Sequence, residues 1–142
     1  MKLLFTLLIA AAINVIPKPA SVKVGEGCFD MTRTKGYMEF TVDGKSGIAP
    51  EGYTLSVTPK GIRAVASDEA GLFYARQTLD QLIQPGGIIP CVEIADAPRF
   101  RWRGFHVDPC RHFMSIEDVK KQIDIMARYK VNTMHWHLTD DQ

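Results

Sequence analysis

Two segments, Arg103-Gly-Phe-His-Val-Asp108 and Val131-Asn-Thr-Met-His-Trp-His-Leu138, decide how this chain folds. In the first, Phe105 and Val107 alternate with His106 and Asp108. In the second, Thr133, His135 and His137 alternate with Met134, Trp136 and Leu138. Apolar–polar alternation with a period of two is the pattern of a strand, so strands are predicted over Arg103–Asp108 and Val131–Leu138. Between them Ile116, Val119, Ile123, Met126 and Tyr129 recur at helical spacing up to Lys130. Ser115 is placed to cap that helix, and Asp118 three residues on resembles the reciprocal capping box with Asp in place of Glu. Strand, helix, strand in this compass predicts a parallel, right-handed βαβ unit. A face of His and Asp is costly inside a protein unless those groups are bonded or open onto a pocket. Ionisable residues at the downstream ends of parallel strands are where β/α barrels keep their chemistry.

Upstream the pattern changes to that of a small α+β unit. Pro17 and Pro19 mark an extended lead-in. Tyr37–Val42 alternates as a strand, and Asp43-Gly44 turns the chain. Gly52–Val57 places Tyr53, Leu55 and Val57 on one face, Pro59-Lys-Gly61 makes a turn, and Ile62–Ala66 returns as a hairpin. Asp68 is an N-cap candidate for a helix over Glu69–Ile83, which Pro85-Gly86-Gly87 ends. Ile88–Ile94 is expected as a last strand, at an edge because Pro90 lacks a donor. Asp96-Ala97-Pro98 is the junction. The fold expected is an α+β domain over residues 13–96, then over 97–142 the first β-α-β of a (β/α)8 TIM barrel, truncated here because a whole barrel takes ~250 residues.

The chain has 142 residues, a formal net charge of +1 and no basic run, which argues against nucleic acid as a partner. Lys2, the apolar run Leu3–Ala12 and the small residues Ala10–Ala12 read as a signal peptide over residues 1–12, with export to the periplasm or the outside expected. That run is too short for a membrane span of ~20 residues. The three cysteines, Cys28, Cys91 and Cys110, are odd in number and widely spaced, so packing is expected of all three rather than a disulfide framework.

The pieces Pro98-Arg-Phe-Arg-Trp-Arg-Gly104, Asp108-Pro-Cys-Arg-His-Phe113, Asp124-Ile-Met126, Tyr129-Lys-Val-Asn132 and His135-Trp-His-Leu-Thr-Asp-Asp-Gln142 together resemble the start of the catalytic barrel in β-N-acetylhexosaminidases of glycoside hydrolase family 20. Glu51–Ile62 and Gly71–Leu79 resemble the small domain that precedes that barrel. The resemblance implies a retaining exo-hydrolase that removes terminal β-linked N-acetylglucosamine or N-acetylgalactosamine, with the substrate's own 2-acetamido oxygen as nucleophile. It implies that Arg111 clamps the hydroxyls of the terminal sugar, with Asp140 beside it in the acid/base network. His137 is its companion, and Asp108 and His112 support the pocket. The family's Asp-Glu pair and the tryptophans that wall its pocket belong to later strands. No catalytic residue is therefore expected within this chain, and the chain by itself is expected to be inactive. No cofactor and no metal are expected, and the partner is a glycan ending in N-acetylhexosamine.

Two other readings of the same residues remain open. His135, His137 and Asp140 offer three ligands of the type zinc takes, as in a metal-dependent barrel hydrolase. A non-enzymatic glycan-binding or interaction module is the other. Trp136 lies on the helix-facing side of its strand and is expected in the core, and Trp102 is undecided.

Overall fold

In the computed structural model, which describes residues 13–33 and 35–140, the first predicted hairpin forms as β3 (Tyr53–Thr58) against β4 (Gly61–Ala66). Tyr53, Leu55 and Val57 face the core with Ile62, Ala64 and Ala66 of the partner strand. Around this hairpin stand β1 (Ser21–Asp30), β2 (Tyr37–Val42) and β5 (Ile88–Asp96), in the sheet order β1-β5-β3-β4-β2. All neighbours are antiparallel except β2 and β4. The chain divides into two compact units between Pro98 and Arg99. The signal-peptide reading concerns residues 1–12, which lie outside the described residues.

One helix, α1 (Glu69–Leu82), covers the apolar face of this sheet with Leu72, Ala75, Thr78, Leu79 and Leu82. Asp68 caps it, as its position predicts: one carboxylate oxygen accepts from the Gly71 amide at 2.8 Å. The other oxygen accepts from the Glu51 amide at 2.8 Å, so the same residue ties the preceding loop to the helix start. Gly71 is required here. A Cβ at that position would stand 2.3 Å from the Gly52 carbonyl oxygen, and backbone cannot give way as a flexible side chain does. Within the core the Tyr53 hydroxyl meets the Thr78 hydroxyl at 2.6 Å and donates to Asp96 at 3.2 Å, so its polar tip is satisfied.

Two expectations for this unit are corrected. β5 is not an edge strand; it lies between β1 and β3. Pro90 is accommodated because its row faces Cys28, just past the register shift between Val24 and Cys28. It also lies beyond the β3 ladder, which begins at Val92. The strand that shields it, β1, carries Gly25 and Gly27 inside the irregular stretch, and these break the alternation that would have announced it. Of the cysteines, Cys91 is buried and Cys28 half-buried, but Cys110 is exposed in a turn and does not pack as expected.

The second unit contains β6 (Gly104–Val107), α2 (Ile116–Arg128) and β7 (Thr133–Trp136). The strands pair in parallel with Gly104 opposite Thr133 and His106 opposite His135. Ser115 caps α2, accepting from the Asp118 amide at 3.1 Å while its hydroxyl donates to the Asp118 carboxylate at 2.8 Å. The helix closes with Lys130 in the left-handed region (φ 60°), its amide bonded to Ala127 and that of Val131 to Met126. That pair of bonds is the Schellman termination, with Lys in the usual place of Gly.

Both strands are shorter than the alternation suggests, because side chains hold the approach to the ladder. The Arg103 amide donates to Asn132 Oδ1, the Arg103 guanidinium to the Lys130 carbonyl, and Asn132 Nδ2 to the Arg101 carbonyl. Val107, Val119 and Met126 are the buried apolar residues of this unit. Trp136, expected in the core, is 45% exposed, and Phe105 on the same face is 44% exposed, whereas Val107 between them is buried. No helix among the described residues is long and apolar enough to cross a membrane.

Candidate functional site

The pairing of β6 with β7 fixes which polar side chains meet. Asp108 follows the last residue of β6, and Pro109-Cys110 turns the chain so that Arg111 folds back over it. Arg111 Nη1 donates to Asp108 Oδ2 at 2.5 Å, and the Arg111 amide to Asp108 Oδ1 at 3.2 Å. On the far side Arg111 Nη2 donates to Asp140 Oδ2 at 2.9 Å, where the segment after β7 passes. The guanidinium thus bridges two carboxylates that arrive from different strands. Asp108 and Asp140 have side chains 21% and 28% exposed, whereas that of Arg111 is 56% exposed. The cation is held from below and open above.

His137 completes the lower layer, with Nδ1 3.1 Å from Asp108 Oδ1. When neutral, an imidazole that gives its Nδ1 hydrogen to a carboxylate keeps the lone pair on Nε2, so this contact sets the tautomer. Burial tends to raise the Asp108 carboxyl. The bonds from His137 and Arg111 outweigh it and hold the group well below the usual carboxylate range. Asp108 therefore stays an anion wherever Arg111 needs one.

His106 and His135 lie beside this group, in register across the two strands. Their Nδ1 atoms are 3.1 Å apart and their rings meet edge to face with centroids 4.6 Å apart. The His106 ring also lies 5.9 Å from that of His137. Alternation in the sequence puts His106 and Asp108 on one face but says nothing of which residue of the other strand stands opposite. His106 is accordingly the site neighbour that a reading of the strands one at a time does not find.

Of the residues singled out in the sequence, Arg111, Asp140, Asp108 and His137 meet in one hydrogen-bonded cluster. His112 does not join it: it is exposed and forms no hydrogen bond or ion pair among the described residues. The metal-ligand set changes too. The side chains whose donor atoms converge are His106, Asp108 and His137, not His135, His137 and Asp140. Asp140 is drawn instead to the Arg111 cation, which offers it charge-assisted bonding.

Both units have counterparts among known proteins. Residues 31–97 match the sequence model of glycosyl hydrolase family 20, domain 2, and residues 100–142 match that of the glycosyl hydrolase family 20 catalytic domain. A beta-hexosaminidase of Porphyromonas gingivalis is 45% identical over 112 residues, which is 71% of this chain and 14% of that protein. The solved β-N-acetylhexosaminidase of Bacteroides fragilis superposes with a TM-score of 0.81 at 30% identity, over 90% of this chain and 34% of that one. A mutant Streptomyces plicatus beta-hexosaminidase, solved with its product GlcNAc, gives 0.76 at 31% identity over 90% of this chain and 35% of that one. The chain thus spans about a third or less of the length of these relatives. With both its units matched in order to consecutive domains of one family, the chain belongs to glycosyl hydrolase family 20.

Proposed function

We propose that this chain supplies the sugar-orienting part of an exo-acting β-N-acetylhexosaminidase that hydrolyses terminal β-linked N-acetylglucosamine or N-acetylgalactosamine. The observation that carries this reading is the state of Arg111. A guanidinium has five N–H donors in a planar fork. The two carboxylates take one donor from each of its terminal nitrogens, and the side chain remains more than half exposed. What is left is a rigid, immobilised set of donors facing outward, suited to the adjacent hydroxyls of a sugar ring. Its contribution is to orient the sugar rather than to move a proton.

Asp140 belongs to this arrangement twice, as a partner of Arg111 and as a member of the acid/base network. His137 fixes Asp108, and Asp108 fixes Arg111. The remaining chemistry follows the substrate-assisted scheme: the 2-acetamido oxygen attacks the anomeric carbon as the glycosidic bond breaks, and water then opens the cyclic intermediate with retention. The acid/base Glu and its partner Asp come from later strands of a TIM barrel of which β6, α2 and β7 are the first elements. In this reading the small α+β domain takes no part in the chemistry, no metal or other cofactor is involved, and the protein works outside the cytoplasm after removal of residues 1–12.

A chromogenic N-acetyl-β-glucosaminide tests the proposal. The 142-residue chain is expected to give no turnover. The same residues within a protein that carries a whole family 20 catalytic domain are expected to release the chromophore. Turnover by the short chain above background, or none by the longer protein, overturns the reading.

A further inference from the structure

Of the three histidines next to Arg111, the sugar reading uses only His137; His106 and His135 are left over, and the geometry of the group points to a different ligand. We propose that His106, Asp108 and His137 bind a zinc-class transition-metal ion, with His135 as a fourth donor, and that this ion competes with the Arg111 sugar clamp. The competition rests on the role proposed above for Arg111; the metal site itself does not.

Donor atoms from His106, Asp108 and His137 all lie within 4.8 Å of one another. Zinc takes imidazole nitrogen and carboxylate oxygen at ~2.0–2.2 Å in a tetrahedron, which sets its ligand atoms roughly 3.3–3.5 Å apart. Two pairs here already stand close to that edge length: His106 Nδ1 to His135 Nδ1, and His137 Nδ1 to Asp108 Oδ1, each at 3.1 Å; to ligate, His137 moves its hydrogen from Nδ1 to Nε2, and the ion takes the place of the hydrogen bond to Asp108. His135 stands outside the converging set, its ring centroid 6.4 Å from that of His137, and joins as a fourth donor only by turning toward the other three.

The backbone preorganises this set. His106 and His135 are register partners, and Asp108 and His137 stand two residues further along the same strand faces. Asp108 and His137 are half-buried and His106 exposed, so the site has a floor and an open mouth. Without an ion, one Nδ1 of the His106–His135 pair must donate to the other; an ion between them accepts a lone pair from both and removes that constraint. The donor set, imidazole with one carboxylate, favours zinc, copper or nickel over magnesium or calcium.

The ion and the clamp share Asp108. Its Oδ2 holds Arg111 while its Oδ1 faces the histidines. A divalent charge on Oδ1 repels the guanidinium and draws electron density from the carboxylate, so Arg111 loosens toward Asp140. Metal and sugar then weaken each other's binding by the same factor.

Isothermal titration of the 142-residue chain with zinc chloride in a chelator-free buffer tests the site, with magnesium chloride as control. One zinc per chain, no magnesium, and cobalt substitution giving the absorption of four-coordinate cobalt are expected. His106→Gln should weaken zinc by about tenfold or more with an unchanged far-ultraviolet circular dichroism spectrum, while His112→Gln changes nothing. Absence of saturable zinc, retention of full affinity in both His106→Gln and His137→Gln, or equal loss in His112→Gln overturns the site. In the longer, active protein, zinc should raise KM for the chromogenic substrate and EDTA should restore it. Zinc bound with KM unchanged overturns the competition, whereas failure of the sugar reading shows separately as absence of turnover without metal.

Discussion

Replacing Arg111 by Lys keeps the positive charge and discards the fork, and the two carboxylates around it show why that matters. A single ammonium cannot span from Asp108 to Asp140 as Nη1 and Nη2 do, at 2.5 and 2.9 Å. With about 1.5–3 kcal/mol lost for a charge-assisted hydrogen bond, Arg111→Lys in the active protein should lower kcat/KM roughly ten- to a hundredfold. Steady-state kinetics with the chromogenic substrate checks this. Asp108 gives a second test. Its carboxyl is depressed in the folded chain, so its stabilising contribution is complete above the ordinary Asp value near ~3.9 and is lost as pH falls through the lower folded value. Asp108→Asn should therefore melt below the parent at neutral pH, and the gap should close in strong acid; a gap that persists there refutes the assignment. Asp108 is legible in the sequence because it closes an alternating segment, whereas Arg111 and Asp140 are legible only through the family resemblance of Asp108–Phe113 and His135–Gln142. The partnership of His106 with His135 is not, because it depends on where the ladder begins, and the Arg103–Asn132 contact decides that.

At the scale of elements, α1 shows what a single cap does. Asp68 serves two amides at once, those of Glu51 and Gly71, and these bonds, the Glu51 one first, hold its carboxyl below the usual range. Asp68→Ala should cost about 1–2 kcal/mol in thermal or denaturant unfolding. Asp68→Asn keeps an acceptor for the helix but removes the ionisation. Its stability should thus be nearly that of the parent at low pH and fall behind as pH rises through the acid range, since the depressed carboxyl's contribution grows from its folded value upward and is complete above its unfolded one. The cap, the hairpin β3–β4 and both helices are legible because propensity, capping and periodicity agree at those places. β1 is hidden because Gly25 and Gly27 interrupt its alternation, and Pro90 misleads because a missing donor marks an edge only when no bulge faces it.

For the molecule as a whole, the first unit has a closed core built on Tyr53, Leu55, Ile62, Ile89 and α1. The second leaves Phe105, Ile123 and Trp136 about 45% exposed and Phe113 at 91%. A polypeptide of residues 13–98 should accordingly melt in one cooperative transition with little binding of a hydrophobic dye, whereas the 142-residue chain should bind the dye strongly. Dye fluorescence and calorimetry on the two polypeptides check it; equal dye binding would refute the contrast. The pairing of β1 with β5 carries one more implication. Ser21 stands opposite Ala95, and the Ala20 amide bonds to the Asp96 carboxylate at 3.1 Å, so the strands that open and close the sheet end roughly 5 Å apart. A sheet whose entry and exit strands stand side by side is shut like a clasp: the lead-in that carries Val15 into the core and the exit toward Pro98 leave from one place, so a break in that pairing frees both at once.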